Sequence, residues 1–116
     1  MIVGIGTALC VVERFEAMLR RRPGVAERLL TPEERALPVQ SQAARFAAKE
    51  ALAKALGSPG GMSWLDAEVV RSEAGEPSFV VTGTVAERLA ELGVARIHLS
   101  VSHDGGFASA TVVCEA

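Results

Sequence analysis

A chain of 116 residues carrying a net charge of -2 has material for one hydrophobic core, so a single domain over residues 1–116 is expected. With 49% apolar and 22% charged residues, burial can offset chain entropy, which argues against disorder. A pI near 5.7 leaves no footprint for nucleic acid, and no apolar run is long enough to span a membrane, so a cytoplasmic protein with neither partner is expected.

In chain order, Ile2 to Gly6 and Leu9 to Val12 are continuous and partly β-branched, the pattern of a buried strand, and the glycines in it imply close approach by another backbone or a ligand. From Glu13 the period becomes helical through Phe15, Met18 and Leu19. Arg20, Arg21 and Arg22 gather where a helix dipole favours cations, and Pro23-Gly24 ends the run. Thr31-Pro32-Glu33-Glu34 predicts a capped short helix ending near Pro38, with Glu34 closing a capping box. An alanine-dense helix runs from Ser41 to Leu56 and stops at Gly57-Ser58-Pro59-Gly60-Gly61.

Leu65 to Arg71 and Pro77 to Thr82 read as a hairpin turning at Ala74-Gly75-Glu76. Thr84 and Glu87 predict a second capping box, opening a helix that Gly93 terminates. Ile97, Leu99 and Val101 alternate with His98, Ser100 and Ser102 as in a half-buried strand, and Phe107 to Cys114 returns after Asp104-Gly105-Gly106. The sum is an α+β domain: an antiparallel sheet packed against one long central helix and shorter helices. Cys10 and Cys114, near opposite ends, read as small hydrophobes and not as a disulfide.

Few charges interrupt the central helix. At about 100° per residue, Arg45 and Lys49 share one edge, and Glu50 and Lys54 the next. A carboxylate flanked by cations suits a divalent metal beside a polyphosphate. The same spacing also suits a surface ion pair worth ~0.3 kcal/mol on a wet face. Similarly, His103 next to Asp104 at a strand end is compatible with a structural or a catalytic role.

Taken together, Met1-Ile2-Val3-Gly4-Ile5-Gly6, Val12-Glu13-Arg14-Phe15, Arg45-Phe46-Ala47-Ala48-Lys49-Glu50-Ala51, Gly75-Glu76-Pro77 and Ser100-Val101-Ser102-His103 resemble the successive signatures of the holo-acyl-carrier-protein synthases. The resemblance runs over almost the whole chain and implies the 4'-phosphopantetheinyl transferase fold. It further implies transfer of 4'-phosphopantetheine from coenzyme A to a serine of an apo acyl carrier protein, with Mg²⁺, in a homotrimer whose active sites lie between subunits. By the same resemblance Glu50 would bind the metal and take part in deprotonating the serine. Lys54, Gly57 and Ser58 would face the coenzyme A phosphates, with Arg45, Lys49 and His103 completing their surroundings. Arg14 and Arg20, Arg21 and Arg22 would meet the acidic carrier protein.

The chain departs from that family at Ala8, where the family carries a metal-binding aspartate, and at Val11, where a second acid is usual. A hard cation deprived of an anionic ligand binds more weakly. Alternatives to conventional transfer are therefore a homologue repurposed for an acyl or polyketide substrate in the same cleft, or a carrier-protein-binding module without catalysis.

Overall fold

The computed structural model describes residues 1–116. Strand β1 (Ile2–Val11) pairs antiparallel with β5 (Phe107–Glu115), which pairs antiparallel with β4 (Arg96–Asp104), giving the order β1-β5-β4. A separate hairpin joins β2 (Ala67–Arg71) to β3 (Pro77–Val81). The single sheet expected from the sequence is thus two sheets.

The central helix α4 (Val39–Ala55) crosses one face of the three-stranded sheet. Its small side chains and the glycines of β1 allow unusually close packing. A Cβ built on Gly4 would lie 1.9 Å from the carbonyl oxygen of Ala55, and one on Gly6 would lie 1.8 Å from that of Ala51. The backbone approach implied by the glycines is therefore real, and its other partner is the alanine-rich helix. Ala8, Ala47, Ala48 and Ala51 continue the same core, with Ala110, Val112 and Cys114 of β5 beneath them. Both cysteines are free.

Helix α1 (Val12–Arg21) follows β1 directly, so Val12 belongs to the helix and not to the strand. β1 is also not a buried strand. It lies at the sheet edge with a helix on one face alone, and Ile5 and Leu9 on the other face are 61% and 66% exposed. After Pro23-Gly24 a five-residue helix, α2 (Val25–Leu29), was too short for periodicity to announce. Its Val25 and Leu29 pack with Phe15, Leu30 and Ala44 in a second core cluster.

Helix α3 (Pro32–Arg35) has the predicted capping box: the Glu34 N–H donates to Thr31 Oγ1 at 3.3 Å, and the Thr31 N–H donates to Glu34 Oε1 at 2.9 Å. Helix α5 (Gly83–Leu92) lacks the one predicted from Thr84 and Glu87. Thr84 instead donates its N–H and hydroxyl to Asp66 Oδ2 at 2.8 and 2.7 Å, so a carboxylate from the preceding 3₁₀ turn (Trp64–Asp66) caps the helix from outside. Gly93, left-handed at φ 70°, ends it as expected.

Candidate active site

Helical spacing puts positions 50, 53 and 54 of α4 on one face, and that face opens to solvent. Glu50, Ala53 and Lys54 line a cavity of about 260 Å³ with Ser58, Pro59, Met62 and Trp64. The wall opposite the helix exists because α4 ends in two left-handed residues, Gly57 at φ 82° and Ser58 at φ 49°. The Ser58 N–H donates back to the Ala53 carbonyl at 2.7 Å, and the chain reverses so that Pro59, Met62 and Trp64 face the helix. A non-glycine residue in that region costs ~1–3 kcal/mol and persists where its surroundings demand it.

Glu50 is half-buried. Burial pushes its carboxyl above the usual carboxylate range, against the opposing pull of Lys54. Lys54 is exposed and donates to the main-chain carbonyl of Thr7 at 2.9 Å, which ties the cation to β1. Cys10 lies on the same side of β1, where burial and the Glu50 charge both push its thiol up. Ala8, buried two residues earlier, offers only a methyl group. No three His, Cys, Asp or Glu side chains are grouped so as to hold a metal ion. One carboxylate, Glu50, is what the cavity can give a cation.

Other expected site residues lie elsewhere. The wet edge read into Arg45 and Lys49 does not exist, because both are buried at 8% and 1% exposure. Lys49 is sealed, with its three donors used on Glu34 Oε1 at 2.6 Å, the Leu29 carbonyl at 2.8 Å and the Trp64 carbonyl at 3.1 Å. It has no donor left for a phosphate. Desolvation pulls its ammonium below the ordinary lysine range, and Glu34 opposes that. Arg45 lines a different cavity, beside Glu33, Glu68 and Arg71, and its buried Nε lacks a partner. Glu50 and Lys54 are likewise not the simple surface ion pair that their spacing allowed, since Lys54 bonds to Thr7.

His103 is exposed at the β4–β5 hairpin and lines a cavity of about 240 Å³ with Gln40, Asp104, Gly105, Gly106 and Phe107. Gln40 stands ten residues before Glu50 on α4, so about 15 Å of helix separates the two cavities. Within one chain, Glu50 and His103 do not meet. Arg14, Arg20, Arg21 and Arg22 are exposed on and just after α1, with Arg20 3.4 Å from Glu16. Sequence reasoning missed Met62 and Trp64 as cavity walls and Glu34 as the partner of Lys49. The capping box marked Glu34, but nothing local announced its second bond.

A family model described as the 4'-phosphopantetheinyl transferase superfamily matches residues 5–112. The chain is 60% identical to a holo-[acyl-carrier-protein] synthase of Clavibacter michiganensis subsp. michiganensis, over 99% of this chain and 97% of that protein. Among solved structures, a holo-[acyl-carrier-protein] synthase from Neisseria meningitidis superposes with a TM-score of 0.90 at 35% identity, covering 100% of both chains. The Helicobacter pylori holo-[acyl-carrier-protein] synthase in complex with coenzyme A gives 0.83 at 32% identity, covering 96% of this chain and 99% of that one.

Proposed function

Since the chain belongs to the 4'-phosphopantetheinyl transferase superfamily, we propose that it transfers 4'-phosphopantetheine from coenzyme A to a serine of an apo acyl carrier protein. The observation that carries this reading is the solvent-open cavity that brings Glu50 and Lys54 of α4 together against the loop from Ser58 to Met62. The serine oxygen forms a bond to the phosphorus that bears pantetheine. The bridging bond of the diphosphate breaks, and adenosine 3',5'-bisphosphate leaves with the electron pair.

Lys54 is placed to neutralise diphosphate oxygens, with the Thr7 carbonyl fixing where its ammonium points. Glu50 is placed to accept the serine proton, and a carboxylate whose proton affinity is raised by burial is a better base at neutral pH. Magnesium, when bound, would neutralise charge on the bridging oxygens. Glu50 would hold it together with the substrate's own phosphates, a sparse arrangement that suits this ion. With Ala8 and Val11, β1 offers no carboxylate, so a bound cation would depend mainly on the substrate.

The separation of Glu50 from His103 supports a homotrimer in which His103 reaches the cavity of a neighbouring protomer. The uncovered face of β1, with Ile5 and Leu9, and the exposed Phe107 of β5 supply an apolar surface for that contact. Arg14, Arg20, Arg21 and Arg22 form the basic surface that would receive an acidic carrier protein. No helix is long and apolar enough to cross a membrane, and we place the reaction in the cytoplasm. The absence of carboxylates at Ala8 and Val11 favours two further readings: a cleft repurposed for an acyl or polyketide substrate, or carrier binding without transfer.

Incubation with coenzyme A, Mg²⁺ and an apo carrier protein, followed by weighing the carrier intact, separates the readings. The expected result is a mass gain of one phosphopantetheine arm. Carrier binding with no gain, before and after Ala8→Asp, would overturn the transferase reading.

A further inference from the structure

We propose that the buried Glu34–Lys49 ion pair is a positioning element of the transfer site, holding the Trp64 wall of the cavity at a fixed distance from Glu50. The inference rests on the reading that this cavity takes coenzyme A.

Lys49 and Glu50 are successive residues of α4, one pointing into the protein and the other into the cavity. Through its ammonium Lys49 grips the Trp64 carbonyl at 3.1 Å, and Trp64 is the cavity wall facing Glu50. The grip is itself anchored. Glu34 Oε1 accepts from Lys49 at 2.6 Å and from the Thr31 N–H at 2.9 Å, while Oε2 accepts from the Val69 N–H at 2.9 Å. The Leu29 carbonyl takes the remaining Lys49 donor at 2.8 Å. Two side chains thereby join α4 to the end of α2, the start of α3, the 3₁₀ turn and β2.

Burying two charges is a poor route to stability, because desolvation offsets most of the attraction and a well-packed apolar pair holds as well. What the pair adds is direction, since every bond in it has a defined partner and angle. The cavity needs that, because its far wall hangs on the loop from Gly57 to Met62. At its downstream end that loop is held by the Ser63 N–H bond to Thr84 Oγ1 at 2.9 Å and by the Trp64 grip. The Trp64 ring meets Phe46 of α4 edge-on at 5.7 Å, which limits its tilt but not its position along the helix.

The test uses the full chain and two variants. Lys49→Met alone would strand the Glu34 carboxylate in the interior and Glu34→Gln alone would strand the Lys49 ammonium, so the informative changes are two double ones, Lys49→Met with Glu34→Gln and Lys49→Gln with Glu34→Gln, neither of which leaves an unpaired buried charge. Coenzyme A binding is measured by calorimetry, transfer by intact mass of the carrier, and wall placement by emission of Trp64, the only tryptophan. The expected result for both double variants is weaker coenzyme A binding and a raised KM for coenzyme A, each by about tenfold, with kcat nearly kept and Trp64 emission shifted. A structural role alone would lower kcat through loss of folded protein and leave KM unchanged, and that result overturns the proposal, as would failure of both variants to fold. If the wild type binds coenzyme A but transfers nothing, the transferase reading falls while the ratio of dissociation constants still decides this one. If it binds no coenzyme A, both fall.

Discussion

At the scale of single residues, Glu50 and Lys54 carry the proposed chemistry, and their environments differ in a way that assigns the roles. Glu50 is half-buried with its proton affinity raised, whereas Lys54 is exposed and tied to β1. Glu50→Gln should lower kcat by about 10²–10⁴-fold without loss of fold, as removal of a general base does. Transfer assays beside thermal melting check both halves of that statement. Ala8 makes a second prediction. Ala8→Asp puts a charge into a site that is now apolar and only 6% exposed, so the variant should melt lower without metal. Added Mg²⁺ should recover more of that loss than it adds to the wild type, because the added carboxylate gains from neutralisation by a bound cation. Equal Mg²⁺ responses would show that position 8 lies outside the cation's reach.

At the scale of elements, the fit of α4 on β1 decides where the site lies. Gly6→Ala would press a methyl group 1.8 Å from the Ala51 carbonyl, and a backbone atom cannot swing aside as a side chain can. Denaturant titration should show a loss of about 1–3 kcal/mol or more. Helix α5 gives a pH prediction. Asp66 is held below the usual aspartate range by hydrogen bonds from the hydroxyl and N–H of Thr84. A depressed folded-state pKa contributes stability that is present above the unfolded value, near ~3.9, and is lost as pH falls through the lower folded value. Asp66→Asn should therefore remove part of the stability near neutrality and flatten its decline below about pH 4, as followed by melting against pH. The elements themselves were largely legible, because turn chemistry and period are local: Thr31 with Glu34, Gly57 after the alanine run, and Gly93 all stand where the sequence put them. What failed was tertiary. Thr84 found Asp66 from another element in place of Glu87, and the apolar run of β1 belongs to an edge strand with one face open to solvent.

At the scale of the whole molecule, the family resemblance supplied the candidate site residues, but helical periodicity misjudged their surroundings. Arg45 and Lys49 looked solvated because charge on an alanine helix usually is. Only the packing of α2, α3 and β2 over that edge buries them, and no local pattern encodes it. The distance between Glu50 and His103 was equally invisible, since adjacency in a motif list says nothing about place in the fold. That distance underlies the proposal of a site shared between copies of the chain. Leu9→Glu on the open face of β1 should shift the assembly to monomers in light scattering and abolish transfer, while leaving each monomer folded by circular dichroism. The most direct measurement mixes two inactive variants, Glu50→Gln and His103→Ala, lets their subunits exchange, and follows the mass of an apo carrier protein. With sites built from Glu50 of one protomer and His103 of the next, the mixture should regain about a quarter of wild-type transfer, because that share of interfaces unites two intact halves. A mixture as inactive as its parents would contradict a shared site.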